Sequence, residues 1–132
     1  MDYKLEVVVI PVTDVDRAKA FYTGKLGFHL DADTEPAEGF RVVHMTPPGS
    51  NCSVVVGPVT LDPATPPAPR ARYQLVVTDL PAARAELAEH GVETSEIQQL
   101  AKTDGGSFSY LTDPDGNEWA IQEVRKYVGA EL

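Results

Sequence analysis

Arg72, Gln74, Tyr110, Glu118 and Gln122 combine side chains suited to chemistry with a spacing that places them together. In the run from Arg72 to Thr78, the residues Tyr73, Leu75 and Val77 form one apolar set. Strand side chains alternate between faces, so this set is predicted to pack under a helix. Arg72, Gln74, Val76 and Thr78 then point the other way. In the run from Glu118 to Gln122, Trp119 and Ile121 make the helix-side pair, leaving Glu118, Ala120 and Gln122 opposite. By the same rule Phe108 and Tyr110 share a face, and Leu111 points to the helix side. A concave face carrying a guanidinium, amides, a carboxylate and aromatic rings suits a small organic molecule. The same groups also permit proton transfer, with Glu118 or His44 as base and Arg72 stabilising an oxyanion. A plain exposed sheet face is the alternative to both.

Other reactive residues offer less. His29 sits beside the Gly27 turn and His90 at a helix C-terminus, where a positive charge suits the helix dipole, and both read as surface residues. Cys52 opens a strand beside valines and reads as a half-buried, inert thiol. No serine or threonine stands in a nucleophile motif, and there is no glycine-rich phosphate loop. His-x-Glu, His-x3-His and paired-cysteine spacings are likewise missing.

The elements that must position the site repeat. Val7 to Asp14 is a β-branched run ending in a helix-capping signal, and Arg72 to Asp79 has the same design about 65 residues later. Each leads into an amphipathic segment. The first is Val15 to Lys25, with Ala18, Phe21 and Tyr22 at helical spacing and Thr13 or Asp14 as cap. The second is Leu80 to Glu89, with Asp79 as N-cap, Pro81 in the first turn, and Ala83 and Leu87 inward. Both helices stop at a glycine, Gly27 and Gly91. Strand-like sequence follows: Phe28 to Ala32, Phe40 to Met45 and Cys52 to Val56 in the first half. In the second half the strands are predicted at Glu93 to Gln98, Ser107 to Leu111 and Glu118 to Val124. Turn residues, Pro47 to Asn51 and Asp113 to Asn117, announce the last hairpin of each half.

The expected architecture is therefore α+β, two βαβββ modules in tandem. The first spans 1–57 and the second 72–125. A stiff linker at 58–71 and a C-terminal tail at 126–132 complete the chain. Five prolines between Gly57 and Arg70, with no apolar period, mark that linker. The chain of 132 residues, 42% apolar, is long enough for a core without staples. A net charge of −9 disfavours nucleic acid as a partner. No apolar run approaches a membrane span, and the start lacks a signal-peptide layout. With a single cysteine, the chain has no intramolecular disulfide and fits the reducing cytoplasm.

Val12-Thr13-Asp14, Ala20-Phe21-Tyr22, Leu26-Gly27-Phe28 and the segment from Tyr110 to Asn117, in that order, resemble the vicinal oxygen chelate superfamily. That superfamily includes glyoxalase I, extradiol dioxygenases, fosfomycin resistance proteins and bleomycin resistance proteins. The resemblance covers nearly the whole chain and implies curved mixed sheets forming an open-barrel cleft. It also places the metal ligands of metal-dependent members on the first and last strands of each module. Counting from Asp14, Asp79, Ser50 and Gly116, those positions fall on Val7, Arg72, Val54 and Ala120. None can ligate a divalent ion, and an arginine repels it. The Tyr110 position contacts substrate in fosfomycin resistance proteins, and His44 is its counterpart across the repeat.

The expected ligand-binding set is thus Val7, His44, Val54, Arg72, Gln74, Phe108, Tyr110, Glu118, Ala120 and Gln122, with no metal and no cofactor. The first reading is a metal-independent binding protein resembling the bleomycin-resistance branch, sequestering a drug or metabolite as a homodimer. The second is a cofactor-independent isomerase, epimerase or lyase with Glu118 or His44 as base. A metal-dependent glyoxalase or dioxygenase comes third.

Overall fold

The computed structural model describes residues 1–57 and 72–125. The expected linker, 58–71, and tail, 126–132, lie outside the described residues. Two compact units meet at Arg72 in the sequence, and each is built on its own four-stranded mixed sheet.

The first unit runs β1 (Val7–Ile10), α1 (Val15–Ala20), a π-helical turn (Phe21–Lys25), β2 (His29–Ala37), β3 (Phe40–Thr46) and β4 (Ser53–Val56). The second runs β5 (Arg72–Val77), α2 (Leu80–Glu89), β6 (Gln98–Gln99), β7 (Ser107–Thr112) and β8 (Glu118–Glu123). Strand orders are β1-β4-β3-β2 and β5-β8-β7-β6. In each sheet the first and last strands run parallel and the remaining pairs antiparallel. The expected duplication of one βαβββ topology is what the chain adopts.

The helix signals act as their chemistry requires. The Asp14 carboxylate accepts from Arg17 N at 3.0 Å and the Asp79 carboxylate from Ala82 N at 3.0 Å. Each satisfies one of the amides that a helix start leaves free. Gly27 and Gly91 close the two helices at φ 74° and 78°, in the left-handed region that glycine enters without strain. The first module has one more residue than the second between its cap and this glycine. It absorbs the extra residue as a π-helical turn, with Leu26 N donating to Phe21 O at 3.1 Å.

The cores lie between each sheet and its helix. Ile10, Ala18, Tyr22, Val43, Met45 and Val56 are fully buried in the first unit, and Leu80, Leu111, Trp119 and Ile121 are buried in the second. The expected strand at Glu93 to Gln98 shrinks to Gln98–Gln99. There the Ser95 hydroxyl accepts from Tyr110 N at 2.9 Å, a bond that a ladder carbonyl would otherwise make. Conversely β2 is longer than expected, reaching Ala37, with register irregularities between Leu30 and Ala32 and between Thr34 and Ala37.

Candidate functional site

In the second module, ladder partners sort the side chains by face. Arg72 pairs with Glu118, Gln74 with Ala120 and Val76 with Gln122. Across the next ladder Phe108 pairs with Gln122, Tyr110 with Ala120 and Thr112 with Glu118. Directly paired residues share a face, so Arg72, Gln74, Phe108, Tyr110, Glu118, Ala120 and Gln122 all lie on the side away from α2. The Phe108 and Tyr110 rings are nearly parallel, 8° apart in plane with centroids 6.4 Å apart. The Arg72 guanidinium lies 5.8 Å from the Tyr110 centroid and donates to the Glu118 carboxylate at 2.7 Å. Gln74 Nε2 donates to Gln122 Oε1 at 2.5 Å, and Gln122 Nε2 donates to the Gly105 carbonyl at 2.6 Å. Beside Tyr110, an open recess of about 540 Å³ is lined by Thr94, Ser95, Thr112 and Glu118. A groove of about 720 Å³ between α2 and Val92–Thr94 lies outside this face and shares none of its aromatic or amide groups.

In the first module the same sorting puts Val7 opposite Ser53, Val9 opposite Val55 and His44 opposite Val55. Since β3 pairs Met45 with Val54 and Val43 with Val56, Val54 belongs to the helix side, where it is 4% exposed. Val54 is therefore a core residue and Val55 takes the place expected for it. The cause is countable: six residues, 47–52, separate β3 from β4, whereas five, 113–117, separate β7 from β8. Aligning the two turns at Ser50 and Gly116 shifts the strand by one residue, and such a slip exchanges the two faces. With that correction His44 matches Tyr110, and Val55 matches Ala120.

His44 does lie on the open face, in company the sequence did not announce. Its Nδ1 stands 3.1 Å from one Asp31 carboxylate oxygen, and His29 Nδ1 stands 2.9 Å from the other. Thr46 donates to Asp31 and shares a 2.7 Å hydroxyl contact with Ser53. Hydrogen bonds from Thr46 and His29, and a weaker one from His44, hold the Asp31 carboxyl below the ordinary carboxylate range against the opposing effect of desolvation. Asp31 reaches this face because the irregularity between Leu30 and Ala32 re-aims its side chain. Strict alternation cannot reveal such a residue. His29, expected as a bare surface residue, belongs to this cluster, and Gly105 is likewise a contributor only the fold reveals.

As a proton-transfer site the arrangement is poorly composed. Glu118, one of the two expected bases beside His44, is held by Arg72, the expected oxyanion donor, so each neutralises the other. The first- and last-strand positions on the open faces carry Val7, Val55, Arg72 and Ala120. Among the described residues no three histidine, cysteine, aspartate or glutamate side chains converge as a metal cage.

A family model for the glyoxalase/bleomycin resistance protein/dioxygenase superfamily matches residues 4–121. The chain belongs to this superfamily. Solved structures agree over almost its whole length. TnmS3, an antibiotic binding protein from Streptomyces sp. CB03234, is 29% identical with a TM-score of 0.76, over 93% of this chain and 97% of that one. A glyoxalase/bleomycin resistance protein from the same Streptomyces is 30% identical, TM-score 0.72, covering 91% and 100%. A superfamily member from Sphaerobacter thermophilus DSM 20745 is 25% identical, TM-score 0.75, covering 92% and 98%. No curated protein matches the chain. Among the described residues no helix is long and apolar enough to cross a membrane.

Proposed function

We propose that the protein binds and sequesters a small aromatic-bearing molecule on the open face of its second module, without a metal ion or organic cofactor. One observation carries this reading: the Phe108 and Tyr110 rings lie almost parallel, 6.4 Å apart, beside the paired amides of Gln74 and Gln122. Two parallel rings offer aromatic faces against which a planar ligand stacks, and stacking needs no reacting group. The likeness to an antibiotic binding protein supports the same reading. The enzyme reading with Glu118 as base is disfavoured because Arg72 and Glu118 are committed to each other.

The test is a fluorescence titration against a panel of planar polycyclic antibiotics, followed by product analysis of each mixture. Saturable binding with every compound recovered intact is expected. Chemical conversion of a bound compound would establish catalysis and replace the sequestration reading. Elemental analysis of protein purified without chelator should find metal well below one ion per chain. Near-stoichiometric metal lost on chelation, with a matching fall in Tm, would restore the metal-dependent reading. We also propose a cytoplasmic homodimer. β1 and β5 are edge strands that bear exposed Val7, Val9 and Val76, the kind of edge that pairing covers. Light scattering at tens of micromolar protein should give twice the chain mass; a monomer mass would refute it.

A further inference from the structure

The two glutamines of the open face form a directed chain, and its direction is fixed by a group that cannot reverse. A backbone carbonyl only accepts hydrogen bonds. The Gly105 carbonyl, 2.6 Å from the Gln122 side chain, therefore requires the Gln122 amide nitrogen on its side. The Gln122 oxygen then faces Gln74 at 2.5 Å, and Gln74 must turn its own nitrogen toward it. Terminal amide orientations are normally ambiguous, but here each follows from the carbonyl at the end of the chain. What remains at the exposed end is the Gln74 carbonyl oxygen, an acceptor.

Gly105 is suited to anchor this chain. Its φ of 88° is a conformation glycine adopts freely, and a Cβ there would stand 3.3 Å from the Gln122 amide nitrogen. Gly106 N donates to Thr103 O at 3.1 Å and Leu100 N to Gly106 O at 2.7 Å, which close the loop beside it. Arg125 N donates to Asp104 at 3.0 Å and ties the loop to the end of β8. Across the ladder, Gln74 is the partner of Ala120, which is in turn the partner of Tyr110. A planar ligand stacked against Tyr110 and extending across Ala120 would meet the Gln74 oxygen with its edge. A hydrogen-bond donor on that edge is satisfied, whereas an ether or carbonyl there leaves the acceptor unpaired.

We infer that the Gly105–Gln122–Gln74 chain makes the site selective for aromatic ligands bearing a hydrogen-bond donor, such as a phenolic hydroxyl or amide N–H, on the edge nearest Gln74. The inference rests on the aromatic-surface reading, and the experiment separates the two. 1-Hydroxypyrene and 1-methoxypyrene are neutral, planar, fluorescent probes that differ in one donor. The wild-type protein should bind the hydroxyl probe about 10-fold more tightly, the cost of one unpaired acceptor.

In Gln122→Met the Gln74 amide is free to turn its nitrogen toward the ether, and the preference should fall to within about 2-fold. Gln74→Leu removes the acceptor and should abolish the preference by an independent route, should Gln122→Met fold poorly. Equal affinities in the wild-type protein would overturn the donor selectivity while leaving the stacking surface intact. So would a preference that survives in both variants, because bulk at the methoxy group would then explain it. Failure of both probes to bind the wild-type protein would overturn the stacking surface and the selectivity together.

Discussion

On the open face of the first module, valines flank an imidazole–carboxylate–imidazole cluster; on that of the second, two parallel rings lie beside an ion pair and two amides. The strand order beneath them is the same. Matched positions make the divergence concrete: His44 against Tyr110, Val55 against Ala120, Val7 against Arg72. One backbone therefore supports a hydrogen-bonded imidazole and carboxylate surface in one copy and an aromatic surface in the other. The helix sides diverge as well. Val54 in the first module occupies the place that Trp119 takes in the second, and both are buried.

The largest expected effect comes from that buried pair. Trp119 is 2% exposed with its ring centroid 5.0 Å from that of Tyr73. Trp119→Ala should cost about 3–5 kcal/mol, because a large cavity adds to the lost transfer energy. Val54→Ala, at the matching place, removes two carbons and should cost about 1.6 kcal/mol from transfer alone. Urea unfolding of both variants measures this directly. Similar losses would mean that the second module does not depend on Trp119 as its burial implies. The same measurement examines the corrected register: an unperturbed Val54→Ala would return Val54 to the open face.

Next in size is the difference between the open faces themselves. Phe108→Ala and Tyr110→Ala should each weaken binding of a planar polycyclic probe by about 10-fold, since each removes half of the stacking surface. His44→Ala should change that affinity less than about 2-fold, because it lies in the module without the rings. Fluorescence titration of the three variants ranks them. A larger loss from His44→Ala than from the ring variants would place the site in the first module.

Much of this was legible from residue order alone, and the reasons for success and failure are physical. The duplicated topology follows from two capping aspartates, two helix-ending glycines and two turn-rich hairpins, all local signals. The open face of the second module was readable because Arg72 to Leu75 alternates between polar and apolar residues and Glu118 to Gln122 sets polar ends around the large apolar pair Trp119 and Ile121. The first module resisted because Ser53 to Val56 is almost uniformly valine, so period two leaves no mark there. Its register was then inferred from turn length, and a one-residue difference misplaced Val54. Asp31 escaped because a bulge, not alternation, sets its direction, and Gly105 because its contribution is a backbone carbonyl.

The smallest expected effect concerns acid, and it belongs to the first module. Asp31 is depressed by hydrogen bonds from Thr46 and His29, and Asp33 by its bonds to Arg41 and Lys19. Arg41 also donates to Asp16 at 2.6 Å, so Asp33 and Asp16 together clip β2 and β3 to α1. A carboxyl whose pKa is lower in the folded chain stabilises the fold above its unfolded pKa of about 3.9. That contribution disappears as pH falls through the folded value. Both carboxylates lie at the surface, where solvent screens such pairs, so the effect on Tm should be a few degrees at most. Asp31→Asn and Asp33→Asn should each melt slightly below wild type at pH 7. As pH falls below about 4 the carboxyls of the unfolded chain protonate first, so the gap should begin to narrow and go on narrowing toward the depressed folded values. Adding salt at pH 7 should shrink the Asp33→Asn gap, because screening weakens its ion pairs with Arg41 and Lys19. Melting curves recorded from pH 7 to pH 2 decide the matter: a gap that stays constant with pH would mean that the side chains act by packing and not by charge.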